Sequence, residues 1–447
     1  MTESIDMSVL EAQAASLVET ALKAGADACD VVVARGQSLG IEVRDARVEN
    51  TSRSEADEFA LRVFVGRKVA TVSANNIANR VELAERAVAM AKVSPEDPFQ
   101  GLAPAECLAT DWPDLDLCDS IVADATMLGE CALACEAAGL DVAGVSKSMG
   151  ARAGWGMSGF VLATSTGFAG SYSASRFSAS AAMVAGEGTG MERDYEFHSA
   201  VHLEDLKDPA EIGRTAGERV VRRLNPRQVA SGAVPVIFDR RISSGMLGAL
   251  MSAINGASVA RKTSFLRDRM GKQIAGSGIT VTDDPQRRRG QSSRPFDGEG
   301  VAGERLTVIE RGTLGHWLLS SSAARELGLE TNGRGVRGAS SVSPSSTNFA
   351  IEPGDVSPES LIRGLKTGFY VTELFGHGVN MVTGEYSRGA SGFWIEDGEL
   401  AYPVSEVTIA SNLSYMLMNM TAASDLDRDF GTAAPTLLIE GMTLAGS

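Results

Sequence analysis

A chain of 447 residues that is 44% hydrophobic and 22% charged is long enough for two or three packed domains and too ordinary in composition for disorder. A formal charge of −16 and a pI near 4.9 exclude a general nucleic-acid binder, which needs surplus Lys and Arg to neutralise phosphates. No run approaches the ~20 apolar residues that cross a bilayer, and the acidic, amphipathic N-terminus lacks the basic-then-apolar order of a signal peptide. The expectation is a cytosolic chain that binds neither membrane nor nucleic acid.

Leu10, Ala14, Leu17, Val18, Ala21 and Leu22 recur at helical spacing, and Gly25 stops the run, which predicts a first helix. CDVVVAR, a turn at GQSLG and IEVRDARVEN then predict strand, turn and strand; FALRVFV, a tip at Gly66-Arg67-Lys68 and VATVS repeat the pattern. Two hairpins in succession imply an antiparallel sheet. Helices are expected at about 76–92 and 119–138, separated by the proline-rich SPEDPFQGLAP. Residues 141–203 are rich in Gly, Ser and Ala with alternating apolar positions, which predicts long strands in a second sheet layer. A helix over 209–224 carries Ile212, Ala216, Val220 and Leu224 on one face and ends at Asn225-Pro226. Beyond Ser231 come a strand (AVPVIFD), a helix (SSGMLGALMSAIN) and a Gly-rich, strand-rich remainder. The fold class is therefore α+β: antiparallel sheets with helices in an N-terminal region, followed by a strand-rich C-terminal domain. The divisions fall at 1–110, 111–228 and 229–447.

Most candidate chemistry along the chain has a structural explanation. The five cysteines, Cys29, Cys107, Cys118, Cys131 and Cys135, are odd in number and confined to the first third, as suits reduced thiols. Cys131 and Cys135 share a helix face as small packing residues. Gly36-Gln37-Ser38-Leu39-Gly40 matches a nucleophile elbow, but that elbow passes from strand into helix, so a hairpin turn is the better reading. The glycine cluster Gly186 to Gly190 reads as a loop between strands. His198 and His202 lie in an alternating stretch, where four extended residues separate the rings by ~13 Å, too far for one zinc. Arg287 to Arg289 read as a solvated loop and Asp283-Asp284-Pro285 as a turn.

The stretch from Thr372, TELFGHGVNMVTGEYSRGASGFWIEDGELAYPV, is harder to dismiss. Gly376, Gly378, Gly384, Gly389 and Gly392 let a backbone approach another chain or take positive φ, and Asp397-Gly398 marks a hairpin turn. His377, Asn380, Thr383, Glu385 and Arg388 are the candidates to face a substrate or partner. Glu385 and Arg388 either pair to hold the loop or grip a peptide.

Four ordered segments, TSFLRDRMGKQIAGSGITVTDDP, SSRPFDGEGVAGERLTVIERGTL, SPSSTNFAIEPGD and VTELFGHGVNMVTGEYSRGASGFWIEDGELAYPVSEVTIASNL, together resemble the TldD/PmbA family. The last segment is similar to its PmbA (TldE) branch, except that Glu385 stands where that branch more often has Asp. The resemblance spans about 10–445 and implies a cytosolic protease of two related subunits, once described as modulators of DNA gyrase, that trims unfolded peptides and processes peptide precursors. It implies that the TldD branch holds zinc through H-E-x-x-x-H on a helix and a later cysteine. Counted back from the shared TSFL segment, that helix reads Leu247-Gly248-Ala249-Leu250-Met251-Ser252 here. Leu247 and Ser252 replace the histidines and Gly248 the glutamate. Leu and Gly offer no donor atom, no base remains to activate a zinc-bound water, and no cysteine follows Cys135.

The resemblance thus implies no cofactor in this chain and zinc in a TldD-type catalytic partner, reached through a large apolar interface. The Gly-rich stretch then supports an active site by shaping a channel for unfolded peptides. Two other readings stand beside it: a homodimeric protein that binds peptides or a partner without proteolysis, and a peptidase that uses His377 with Glu385 or Glu396.

Overall fold

The computed structural model describes residues 5–338, 341–376 and 378–446. The first half is built on one antiparallel sheet of six strands in the order β3-β2-β1-β4-β5-β6. These are β1 (Ala28–Arg44), β2 (Arg47–Val65), β3 (Lys68–Ala74), β4 (Val145–Thr164), β5 (Ala169–Ala185) and β6 (Glu192–Ala200). Helices α1 (Met7–Lys23), α2 (Arg80–Val93), α3 (Ala125–Leu140) and α4 (Pro209–Arg222) cover one face of it. Asp6, Asp124 and Asp208 cap α1, α3 and α4 by accepting from backbone amides of the first turn. Side chains alternate along each strand. Val31, Val33, Val161 and Ala163 pack beneath α1 and α2, while Trp155, Phe177, Ala181 and Met183 pack beneath α3 and α4. The last two helices approach so closely that a Cβ on Gly213 would lie 1.9 Å from the Cys135 carbonyl oxygen.

Two expectations fail in this sheet. GQSLG is not a turn: β1 runs straight through it, pairing with β2 on one side and β4 on the other. The chain reverses instead at Asp45 and Ala46, both at positive φ (53° and 56°), as a two-residue hairpin turn requires. Neither is glycine or asparagine, and the conformation is held from outside: the buried Glu136 carboxylate of α3 accepts both turn amides at 3.1 and 2.8 Å. The long small-residue strands also form no second layer. β4 joins β1 from Asp30↔Thr164 to Val43↔Ala151, so they extend the first sheet.

The C-terminal half begins with β7 (Gly232–Phe238), α5 (Arg240–Ala253) and α6 (Gly256–Ala260). The strands β8 (Val281–Asp284), β9 (Leu306–Glu310) and β10 (Thr313–Leu314) follow, then α7 (Ser321–Leu327), the hairpin β11 (Gly335–Arg337) and β12 (Val342–Pro344), and β13 (Asn348–Ile351). The chain continues through α8 (Pro358–Arg363), β14 (Thr367–Phe375), β15 (Glu385–Glu396), β16 (Glu399–Asn412), α9 (Leu413–Met418), β17 (Met420–Ala422), β18 (Thr432–Ala433) and β19 (Leu437–Ala445). One sheet runs β16-β15-β14-β7-β19-β17 and another β10-β9-β8-β13-β18. A single apolar core joins them around α5. The β15–β16 turn falls at Asp397-Gly398 as expected, both at positive φ.

This half packs against the sheet face that carries no helices. Phe296 enters a cluster with Phe160, Phe168, Tyr172 and Trp112. Charged groups close the same contact: Arg62 pairs with Asp30, and Arg337 from β11 reaches Asp30 at 3.0 Å, all of them buried. The motifs read as a turn and as a solvated loop are part of this arrangement. Asp283 lies fully buried in β8 and pairs with the equally buried Arg334, while the expected turn forms one step later at Pro285-Gln286, where the Asp284 side chain accepts from the Gln286 amide at 3.0 Å. Arg289 holds Asp116, Glu204 and Asp205, and Arg287 donates to the Arg428 carbonyl, so 287–289 are solvated only at Arg288 and clasp their neighbours through Arg287 and Arg289.

Candidate functional site

Helix α5 starts where Asp239 accepts from the Arg241 amide at 2.9 Å. Leu247 lies wholly inside the C-terminal core, while Ser252 faces solvent and donates back to the Gly248 carbonyl at 2.9 Å. At 3.6 residues per turn, positions five apart on an α-helix point ~140° away from each other, which is why one is inward and the other outward. A zinc ion needs imidazole, thiolate or carboxylate donors. Leu247 and Gly248 supply none and the Ser252 hydroxyl is engaged by its own helix, so these residues do not fit the metal. Among the described residues, no three His, Cys, Asp or Glu side chains gather into a metal-binding cluster. His198 is instead 3.0 Å from Asp429, and His202 3.1 Å from Asp116.

Of the loop candidates, His377 lies outside the described residues. Asn380 organises the loop: its side-chain oxygen accepts from the Val382 and Thr383 amides, and its own amide donates to the Glu385 carbonyl at 2.9 Å. The Thr383 carbonyl accepts from Asn412 at 3.0 Å, and the Phe265 amide donates to the Met381 carbonyl. Gly378 sits so close to Ser387 that a Cβ would be 1.5 Å from its carbonyl oxygen, the close backbone approach that the glycine density predicts. Glu385 and Arg388 do not pair: three residues apart on β15, they point to opposite faces. Glu385 is exposed, and Arg388 turns inward.

Arg388 reaches a cavity of about 460 Å³ between β6, the start of α5 and β14. A β-bulge between Val371 and Glu373 re-aims Thr372 and Glu373 toward it. The bulge depends on Gly392 opposite, where a Cβ would meet the Tyr370 carbonyl oxygen at 1.9 Å. Across the cavity the buried Asp194 accepts from Arg241 at 2.6 Å and lies 3.4 Å from Arg223, which also pairs with Glu373. Burial works to raise the Asp194 carboxyl, but its bonds to these arginines outweigh that and hold it below the usual carboxylate range. Burial raises Glu192, behind Arg223, and pushes the Tyr386 phenol up to about 12 against the opposing charge of Arg388.

Three family models cover nearly the whole chain: PmbA/TldA metallopeptidase domain 1 over 29–91, the central domain over 112–224 and the C-terminal domain over 231–446. A metalloprotease PmbA homolog of Haemophilus influenzae is 34% identical over 437 residues, covering 96% of this chain and 94% of the relative. The chain belongs to the PmbA/TldD metalloprotease family. Its fold matches a candidate modulator of DNA gyrase from Bacteroides thetaiotaomicron with a TM-score of 0.90 at 27% identity, over 98% of this chain and 99% of the other. TldE from Thermococcus kodakarensis shares the fold, with a TM-score of 0.87 over 97% and 99% of the two chains; at 21% identity that likeness is one of fold.

In this PmbA/TldD chain the sequence reading singled out Arg388 but missed Asp194, Arg223, Arg241, Thr372 and Glu373. These come from β6, the end of α4, the start of α5 and β14, and no local spacing links them. The one available signal was Thr372-Glu373, which opens the Gly-rich stretch within a strand pattern that the bulge interrupts.

Proposed function

We propose that this chain is the non-catalytic subunit of a cytosolic TldD/TldE-type zinc metalloprotease complex that degrades or processes unfolded peptides. A TldD-type partner holds the zinc, and this chain shapes the path of the substrate. The observation that carries the reading is α5, whose aligned positions offer a core leucine, a glycine and a self-bonded serine in place of a ligand set. Two features support a role in guiding peptide. The sheet face without helices keeps a groove of about 560 Å³ beside Gly156, Ser158 and Ala174, with room for extended backbone. The loop after β14 brings backbones together through glycines, next to the cationic cavity. A peptide held as an added strand gains affinity from main-chain hydrogen bonds, which suits varied unfolded substrates.

The test is cleavage of an unfolded peptide by this chain alone and mixed with its TldD-type partner, with and without a chelator. Chelator-sensitive cleavage only in the mixture is the expected result. Cleavage by this chain alone, with contaminating protease excluded, overturns the assignment.

A further inference from the structure

We propose that the cavity between β6, the start of α5 and the β14 bulge is a carboxylate-binding site that takes the C-terminal carboxylate of a peptide. The proposal deepens the peptide-handling reading above and rests on it. Its charge arrangement is the first ground. Four arginines, Arg193, Arg223, Arg241 and Arg388, line the cavity against two carboxylates, Asp194 and Glu373. Arg241 is engaged by Asp194, and Arg223 is shared among Asp194, Glu373 and, behind it, Glu192 at 3.5 Å. No carboxylate among the described residues lies within ion-pair distance of Arg388 or Arg193. Four arginines against the three acids leave a cationic surplus, and those fixed acids oppose a more highly charged anion such as phosphate, so a monoanion fits best.

The second ground is independent of charge. Thr372 is only 9% exposed, its hydroxyl has no hydrogen-bond partner, and it lines the cavity because the bulge places it there. Arg388 likewise keeps its Nε buried and unpartnered. Buried polar groups are costly to leave unpaired, and a hydroxyl and a guanidinium that line one cavity are donors that a carboxylate's oxygens satisfy. Met149, Ile242 and Leu374 add an apolar wall on which the side chain of a terminal residue can rest. A chain-terminal carboxylate is a group that every linear peptide carries whatever its sequence, so recognising it leaves specificity broad. An acidic side chain presents the same chemistry.

The experiment measures binding of a fluorescent, unstructured decapeptide to the full chain without partner or zinc, so its outcome is separate from any result on proteolysis. Three forms are compared: the free acid, the C-terminal amide, and an amide whose last residue is glutamate. The free acid is expected to bind about tenfold more tightly than the plain amide, the worth of one charge-assisted contact. Arg388→Gln and, independently, Thr372→Val should lower free-acid binding toward the amide level while leaving amide binding and the urea midpoint unchanged. Recovery of affinity by the glutamate-ended amide supports the site and extends it to side-chain carboxylates. Equal binding of all three forms, no binding of the acid, or a preference for the acid that survives both substitutions overturns the proposal.

Discussion

The two faces of the long sheet are made by the same strands and meet opposite demands. Beneath α3 and α4, β4 and β5 present Trp155, Phe177 and Met183, which fill the space to the helices. One residue along on the same strands, the other face presents Gly154, Gly156, Ser158, Ala174 and Ser178, all at least partly open to solvent. Secondary structure cannot account for the contrast, because the pleat is common to both faces. What differs is the neighbour: a face closed by helices needs volume, and a face that borders a groove needs its absence. The closed face should punish substitutions through stability, and the open one through function.

The largest effect is expected where the closed face is tightest. Gly213→Ala places a Cβ against the Cys135 carbonyl and should push α4 off α3, costing about 3 kcal/mol in denaturant unfolding. Gly129→Ala on α3 is the control. A Cβ there meets nothing within 4 Å, so removing glycine from a helix interior should stabilise by roughly 0.5–1 kcal/mol. If both substitutions destabilise alike, helix packing is not what makes this face intolerant.

The part of the opposite face that the C-terminal half does close should respond to pH. Burial, reinforced by the negative charge of Asp297 and opposed by Arg62, raises the Glu299 carboxyl from its ordinary 4.5 to about 7. An acid whose pKa is raised on folding favours the folded state while protonated. Its burial therefore costs little below pH 4.5, and the cost grows as pH rises to about 7, where it is fully present. Stability should fall by roughly 3 kcal/mol across that window. Glu299→Gln keeps an acceptor for the Ser321 amide, now 2.7 Å from the carboxylate, and should flatten the decline. An unchanged slope in the variant would place the titrating group elsewhere.

The sequence made the closed face legible and left the open one obscure, for a physical reason. Apolar residues at helical or alternating spacing revealed α1 and α4, and Asp-Gly between alternating runs revealed the β15–β16 turn, because each signal is local. The Asp45-Ala46 turn escaped because the group that holds it, Glu136, is 91 residues away from Asp45. The glycines of GQSLG suggested a turn, yet Gly40 is in mid-strand where a Cβ would press to 2.9 Å on Ser52 Oγ. Asp283 read as a turn former because its partner Arg334 lies 51 positions on. The cationic cavity collects residues from segments far apart in the chain, and of its members only Thr372, Glu373, Leu374 and Arg388 stood in the stretch already under suspicion.

The smallest effect on stability, and the sharpest on function, should come from the open face. At Gly156 a Cβ would find the Gln37 carbonyl oxygen at 3.5 Å and the Ser38 Cβ at 3.8 Å, both ordinary contacts, and its φ is not in the left-handed region. A tryptophan there can stand in the groove without disturbing the helix face, so Gly156→Trp should change the unfolding free energy by only about 0.5 kcal/mol. If extended peptide passes over this face on its way to the partner's zinc, the indole occupies that path. Cleavage by the mixed subunits should then slow roughly tenfold, equivalent to about 1.4 kcal/mol in the barrier. Ser178→Ala, a small change on the same face, should alter neither quantity. Full activity with the tryptophan in place would mean that the groove is empty during turnover, and that the small residues of this face serve the fit of the C-terminal half alone.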